Sequence, residues 1–244
     1  MTGVSVNGEI INCKLVLFDL DGTLVDKENR NTVLAKTRYK AITKRAGNEA
    51  AKRWAELSGV TLNTFKVNED GPLSRAPRKE DLIVAATAIW LNGLNWFQAK
   101  ELAAEAYTAA DEEQSQSYES RLVEGAEKLL RTMKKSGLVL GIATNGSGKT
   151  AREIMALNGV DTLFDVFTGA DEVAEGKPKP DMILEGCRRA GFDPCDAVYV
   201  GDEIVDAIAG NAAGVAGVIV LNRRLDVSKY SKYVLDSVVD IKVG

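Results

Sequence analysis

The sequence predicts an α/β protein: a doubly wound parallel sheet with an all-helical domain inserted after its first strand. Three observations carry this expectation. Continuous apolar runs such as Leu15-Val16-Leu17-Phe18 match strands buried on both faces, as parallel sheets require. From Leu122 onward such runs alternate with amphipathic helical stretches, the pattern of βαβ units. The gap between the first strand and the next is about four times the roughly thirty residues a βαβ crossover takes, so a further domain is expected to fill it.

The elements follow in order. KLVLFDLDG, Lys14 to Gly22, is an apolar strand that ends abruptly in acid. RNTVLAKTRYKAITKRAG, EAAKRWAEL, KEDLIVAATAIWLNG and NWFQAKELAAEAYTAADEEQ carry apolar residues at helical spacing. Between the second and third lies VTLNTFKVNEDGPLSRAPRK. It has no clear period, contains Pro72 and Pro77, and reads as a long loop. The rhythm then changes. EGAEKLLRTMKKSG is a helix closed by Gly137, LVLGIAT a strand, and KTAREIMALNG a helix closed by Gly159. FDVFTG is a strand and PDMILEGCRRAG a helix with Pro180 in its first turn. AVYVGD, IVDAIAGNAAG and GVIVLN complete the series as strand, helix and strand. The expected domains are a core of residues 1–24 and 119–244 and a helical cap of residues 25–118. Ligands of open α/β sheets bind at the carboxyl ends of the strands. The insertion departs from that edge, so it is expected to act as a lid.

Composition narrows the chemistry. Hydrophobic residues at 45% and charged residues at 27% describe an ordinary globular chain. A net charge of −4 gives no electrostatic reason to expect a nucleic-acid partner. No apolar run is long enough to cross a bilayer, and MTGVSVNGEIIN lacks the basic start and long apolar stretch of a signal peptide; a cytoplasmic location is expected, with no membrane partner. Cys13, Cys187 and Cys195 lack metal-ligand spacing and read as free thiols in a reducing compartment. Histidine is absent. Its absence removes the commonest general base, the commonest zinc ligand and every triad built on imidazole. Acid–base work falls to carboxylates, lysine, tyrosine or cysteine, and any metal is expected to be a hard ion held by oxygen, magnesium before zinc.

Two readings compete for the chemistry. ATNGSGKT, Ala143 to Thr150, follows an apolar run and precedes a helix-like stretch. It fits a phosphate-cradling P-loop in which Lys149 would hold phosphates and Thr150 a magnesium ion, except that Ala143 stands where the first glycine belongs. AVYVGDE would then be a Walker B segment. That reading leaves DLDGTLVD and Lys177 without a role. The other gathers four signals on one sheet edge: Asp19 and Asp21 in DLDGT, Thr144 and Asn145 after the second core strand, Lys177 in EGKPKPD, and Asp202 with Asp206 in GDEIVD. These four, in this order, resemble the haloacid dehalogenase-like superfamily in its phosphatase branch. The family pattern is DxDGT, a strand-end Ser or Thr, a lysine often followed by proline, then GDxxxD. The resemblance covers the core on both sides of the insertion and implies a Rossmann-like sheet beneath a helical cap.

The resemblance also implies roles. Asp19 would be the nucleophile that forms an aspartyl-phosphate. Asp21, two residues on and therefore on the same side of the strand, would protonate the leaving oxygen and later deprotonate water. Mg2+ would be bound by the carboxylates of Asp19 and Asp202 and the backbone carbonyl of Asp21. The Thr144 hydroxyl and the backbone N–H groups of Leu20 and Asn145 would cradle phosphate oxygens. Lys177 would offset repulsion between phosphate and Asp19, with Lys179 as a rival in the repeated KPKP. Asp206, one helical turn beyond Asp202, would lie in the outer shell or orient Lys177. Under this reading Lys149 is a solvated residue near a helix start.

Asp21 speaks against the founding dehalogenases, which lack an acid there because a leaving halide needs no proton. DGTLVD, the early helical insertion and TNGS before a helix look like the phosphoglycolate phosphatase-like group. The β-phosphoglucomutase group shares cap and core and stays open as an alternative. Two further readings weigh less: a non-catalytic phosphate-sensing protein, and an interaction module using the cap helices. The expected partner is a small phosphorylated metabolite. Arg75 and Arg78, in the irregular cap loop, are candidates for meeting an acidic group on it, against the alternative that they form a solvated cluster. Oligomeric state is not readable from the sequence.

Overall fold

The computed structural model describes residues 2–76, 78–116, 120–222 and 226–244. Pro77 and the expected return boundary at 118/119 lie outside the described residues. Among those described, the chain opens with β1 (Gly3–Val6), β2 (Glu9–Asn12) and β3 (Leu15–Phe18). Then come α1 (Lys27–Ala46), α2 (Asn48–Ser58), β4 (Val60–Thr61), β5 (Lys66–Val67), α3 (Pro72–Arg75), α4 (Arg78–Trp90) and α5 (Trp96–Gln116). The remainder alternates: α6 (Ala126–Lys135), β6 (Val139–Thr144), α7 (Gly148–Leu157), β7 (Val166–Gly169), α8 (Asp181–Ala190), β8 (Ala197–Gly201), α9 (Ile204–Ala213), β9 (Gly217–Val220), β10 (Tyr233–Val234) and β11 (Lys242–Val243). No helix of the described residues is long and apolar enough to cross a membrane.

The main sheet is parallel in the order β10-β9-β8-β3-β6-β7. Its central strand β3 is buried at every position and β8 likewise. This explains why both read as unbroken apolar runs: helices cover both faces of a parallel sheet, so no position alternates outward. Each fully buried Leu or Phe there contributes roughly 1.5–3 kcal/mol. A smaller antiparallel sheet, β11-β1-β2, joins the two ends of the chain. Its β1–β2 hairpin turns on Asn7 (φ 51°) and Gly8 (φ 86°), the Asn-Gly pair favoured where both turn residues need positive φ.

The chain divides into two compact units, Met1–Asp26 with Arg121–Gly244, and Lys27–Ser120. Both crossings are held within the first unit. Val25 bridges Leu122, the Asp26 N–H donates to the Arg121 carbonyl and the Val123 N–H to the Leu24 carbonyl. This pairing keeps residues 25 and 26 with the sheet.

In the helical unit, Ile42, Trp54, Ile89 and Tyr107 are buried amid many alanines that let the helices approach closely. The stretch read as a loop contains the β4–β5 pair and the single turn α3. A buried polar chain crosses this core. Arg38 of α1 forms an ion pair with Asp81 of α4. The Tyr107 hydroxyl donates to Asp81 Oδ1 at 2.9 Å, and Trp54 Nε1 donates to the Tyr107 oxygen at 3.0 Å.

Asp81→Ala leaves the Arg38 charge buried without its partner and is expected to destabilise the protein by about 3–5 kcal/mol, read by urea denaturation. A loss within error of zero would show that this pair does not organise the helical unit. The thiols supply a second expectation. Cys13 and Cys187 are buried and Cys195 is exposed. Burial pushes the first two thiols up to about 11. At pH 8 one thiol per chain is expected to react with a disulfide reagent in the native state, and three after unfolding. Because the folded values lie above the ordinary 9.0, the unfolded chain releases these protons first. Stability is therefore undiminished below pH 9 and declines as pH rises toward 11.

Candidate active site

Parallel register brings the strand ends together. Phe18 pairs with Ile142 on one side and Val200 on the other. Asp19 follows Phe18, Thr144 lies two residues past Ile142, and Asp202 two past Val200. All three therefore fall on the carboxyl edge of adjacent strands. The Asp19 N–H donates to the Val200 carbonyl at 2.8 Å, which extends the ladder to the acid itself.

At this edge one ammonium organises the charges. Lys177 Nζ lies 2.6 Å from Asp19 Oδ1, 2.6 Å from Asp206 Oδ1 and 2.9 Å from the Tyr199 hydroxyl. Lysine has three N–H donors and no acceptor, so these contacts use all of them. Lys177, Asp19, Asp206 and Tyr199 are all buried. Burial works against the Lys177 charge, but Asp19 and then Asp206 outweigh it and hold the ammonium well above its ordinary value. Burial likewise pushes the Asp19 carboxyl up to about 6, with Lys177 opposing and Asp206 adding to the rise.

The supports of this cluster are local. Asp206 stands at the third position of α9, whose N-cap is Glu203. Its Oδ2 accepts the N–H groups of Asp202 at 3.1 Å and Glu203 at 2.9 Å, the reach-back half of a capping box. One carboxylate thus starts the helix with one oxygen and binds Lys177 with the other. The fit is close, since a Cβ on Gly201 would fall 2.3–2.5 Å from Asp206 side-chain atoms. Asn145 holds the lysine from its backbone: Oδ1 accepts the Lys177 N–H at 2.8 Å and Nδ2 donates to the Lys177 carbonyl at 3.3 Å.

Oxygens of Asp19, Asp202 and Asp206 lie within 4.8 Å of one another. An all-oxygen donor set fits a hard cation such as Mg2+. With both Asp206 oxygens accepting hydrogen bonds, Asp19 and Asp202 are the carboxylates best placed to serve a cation. Thr23 donates to Asp202 Oδ1 at 3.3 Å. Gly22 has φ 86°, and a Cβ there would fall 2.3 Å from Asp202 Oδ2; only glycine allows both the turn and this approach.

The remaining candidates are placed as follows. Thr144 is buried and its Oγ1 accepts the Gly146 N–H at 3.1 Å. The Leu20 N–H helps to stabilise the Asp19 carboxylate. Asp21 is half-buried and bridges Val25 in the turn after β3. Lys179 is exposed and 3.9 Å from Glu175. Lys149 is 85% exposed and 3.8 Å from Glu153, and the leading amide of α7, on Gly148, donates to Asp171 Oδ1 at 3.2 Å. Neither feature gives the P-loop reading its phosphate contacts. Within the helical unit, Arg75 is 3.5 Å from Asp70. Arg78 makes paired contacts of 2.5 and 3.3 Å with Asp111 and stacks on the Tyr107 ring at 4.6 Å. Sequence reasoning missed Tyr199 and the side chain of Asn145. Tyr199 was hidden inside an apolar run, and Asn145 was read for its backbone amide alone.

Comparison with known proteins places the chain in a family. A haloacid dehalogenase-like hydrolase family model matches residues 13–214. A phosphoglycolate phosphatase of Xylella fastidiosa (strain 9a5c) is 32% identical over 220 residues, 85% of this chain and 80% of that protein. Among solved structures, a HAD phosphatase from Thermococcus onnurineus superposes with TM-score 0.63 at 23% identity, covering 93% of this chain and 95% of that one. A predicted phosphoglycolate phosphatase from Haemophilus somnus 129pt gives TM-score 0.65 at 22% identity, with 92% and 94% covered. At such identities the structural likenesses concern the fold. The matched family model and the long-range sequence relative go further: the chain belongs to the haloacid dehalogenase-like hydrolases, in their phosphatase branch.

Proposed function

We propose that the chain is a Mg2+-dependent phosphomonoesterase that acts on small phosphorylated metabolites through an aspartyl-phosphate on Asp19. The observation that carries this reading is the charge balance of the edge cluster. Asp19, Asp202 and Asp206 bring three carboxylates against the one ammonium of Lys177. Three negative charges less one positive leave two, the deficit a divalent cation matches. Asp19, Asp202 and the Asp21 carbonyl would hold the ion. When bound, it supplies positive charge opposite the phosphoryl oxygens.

The chain's own residues would do the rest. An Asp19 carboxylate oxygen attacks phosphorus, and the bond from phosphorus to the ester oxygen breaks. That oxygen takes the proton of Asp21 and leaves as an alcohol. Asp21, now ionised, removes a proton from a water molecule whose oxygen attacks the aspartyl-phosphate, which frees inorganic phosphate and restores Asp19. Thr144 Oγ1 and the Leu20 and Asn145 N–H groups would hold the phosphoryl oxygens. Lys177 would keep Asp19 ionised against its burial and offset repulsion from the incoming dianion.

A small acidic phosphoester such as phosphoglycolate is the proposed substrate, supported by the name of the 32% identical relative. Selection would fall to the helical unit, proposed as the cap. Arg75 and Arg78 are the candidates there, each already paired with an acid of its own unit, Asp70 and Asp111. Purified protein is expected to release phosphate from p-nitrophenyl phosphate with Mg2+, to stop on chelation and to resume when Mg2+ is restored. Asp19→Asn should lower turnover by at least about a thousandfold, whereas Lys149→Ala should stay within about twofold of the unsubstituted protein. An active Asp19→Asn variant would refute the nucleophile, and an inactive Lys149→Ala variant would restore the P-loop reading.

A further inference from the structure

Tyr199 is a buried polar group at the site that the scheme above does not use. In the sheet order, β3 lies between β8 and β6, and Tyr199 of β8 is in register with Leu17 of β3. Its hydroxyl nevertheless reaches the Ala143 carbonyl of β6 at 2.9 Å. The side chain therefore spans the strand that carries Asp19 and touches the residue preceding Thr144. It is fully buried.

The hydroxyl has one proton and three polar neighbours. The Ala143 carbonyl at 2.9 Å is nearer than Asp206 Oδ1 at 3.2 Å, so the proton goes to the carbonyl. The oxygen lone pairs then face Lys177 Nζ at 2.9 Å. Burial, with Lys177 opposing, holds Tyr199 well above its ordinary value, which keeps it a phenol that can donate and accept at once. Two carboxylates alone would leave the third Lys177 N–H buried without an acceptor, a costly state, and would leave the ammonium free to turn between them. A third contact from another direction fixes it.

We propose that the Tyr199 hydroxyl is a positioning group for phosphoryl transfer: it accepts the third N–H of Lys177 while donating to Ala143, and so fixes the ammonium against Asp19. This rests on the phosphatase reading given above. The contact ties the charge that serves Asp19 to the strand end that carries Thr144, so one side chain sets both the nucleophile and one wall of the phosphate cradle.

Tyr199→Phe removes the hydroxyl alone. With p-nitrophenyl phosphate, kcat is expected to fall about tenfold, the worth of a hydrogen bond to a charged group. KM and the Mg2+ concentration for half-activation should stay within about twofold, because ground-state binding is untouched. A second readout needs neither metal nor turnover. In a 1H–15N correlation of the lysine ammonium groups, the Lys177 signal, identified by its absence from Lys177→Met, should be protected from exchange in the unsubstituted protein. In Tyr199→Phe it should exchange at least about tenfold faster. A purely packing role would lower the melting temperature while leaving kcat of the folded protein and this exchange rate unchanged. Unchanged kcat, or unchanged exchange despite reduced kcat, overturns the proposal. Should Tyr199→Phe not fold, an unprotected Lys177 ammonium in the unsubstituted protein overturns it equally. If the unsubstituted protein shows no Mg2+-dependent hydrolysis, the phosphatase reading fails instead, and the exchange result still reports on the Tyr199–Lys177 contact.

Discussion

Lys177 is nearly solvent-free, and two carboxylate oxygens lie 2.6 Å from its nitrogen. Buried acids this close cannot both stay ionised without a positive charge between them; one would take up a proton. The ammonium is what permits Asp19 to be a carboxylate inside the protein, and the two acids are what permit an ammonium to be there at all. Neither half is stable without the other. The rise of Asp19 to about 6 shows that Lys177 offsets burial and the neighbouring Asp206 only in part.

The backbone around this cluster is arranged to hold its members in place. Asp206 joins two tasks that are usually separate, since the carboxylate that accepts the Asp202 and Glu203 amides at the entry to α9 also carries half of the Lys177 pair. A shift of the helix start would therefore move a charge in the site. Asn145 does the same from the opposite side, clasping both the N–H and the carbonyl of Lys177. The loop before α8 and the junction before α7 are locked to each other through one amide side chain. Rigid supports of this kind matter because electrostatic stabilisation of a transition state depends on groups that need not reorganise.

Much of this was legible in the sequence, for identifiable reasons. Parallel strands buried on both faces leave continuous apolar runs, so β3, β6 and β8 could be read directly, and acids that end such runs have nowhere to lie but the sheet edge. The β1–β2 hairpin was legible and missed: Asn7-Gly8 follows the alternating Val4-Ser5-Val6 and precedes Ile10-Ile11, a strong short-range hairpin signal. Its partner β11 was not legible, because two-residue strands have no period and pairing the two chain ends is a tertiary event. Tyr199 had no local signal, since an aromatic residue in a buried strand normally packs. Its function arises from where β6 and the Lys177 loop lie, and spacing along the chain does not encode that. Arg78 shows the converse. The sequence offers it as a partner for an acidic substrate group or as part of a solvated cluster, and spacing alone could not give the pairing with Asp111 and the stacking on Tyr107 that the fold supplies.

The likeness of ATNGSGKT to a P-loop has a physical origin that also separates the two. Strand-to-helix junctions favour anions because successive amides point outward at the positive end of a helix. In a P-loop those amides and the lysine at the helix start serve the nucleotide. Here the first amide of α7 already serves a protein carboxylate, Asp171, and Lys149 points its charge toward Glu153 in solvent. One leading amide of the junction is thus committed within the protein. On the proposed reading, the phosphoryl group would be held earlier along the chain, at Thr144 and Asn145, beside the acids of β3 and β8. All three Lys177 N–H groups are committed to protein oxygens in this structure, so the lysine's influence on a phosphoryl group would come as charge. Direct hydrogen bonds to that group would then fall to the Thr144 hydroxyl and the backbone amides.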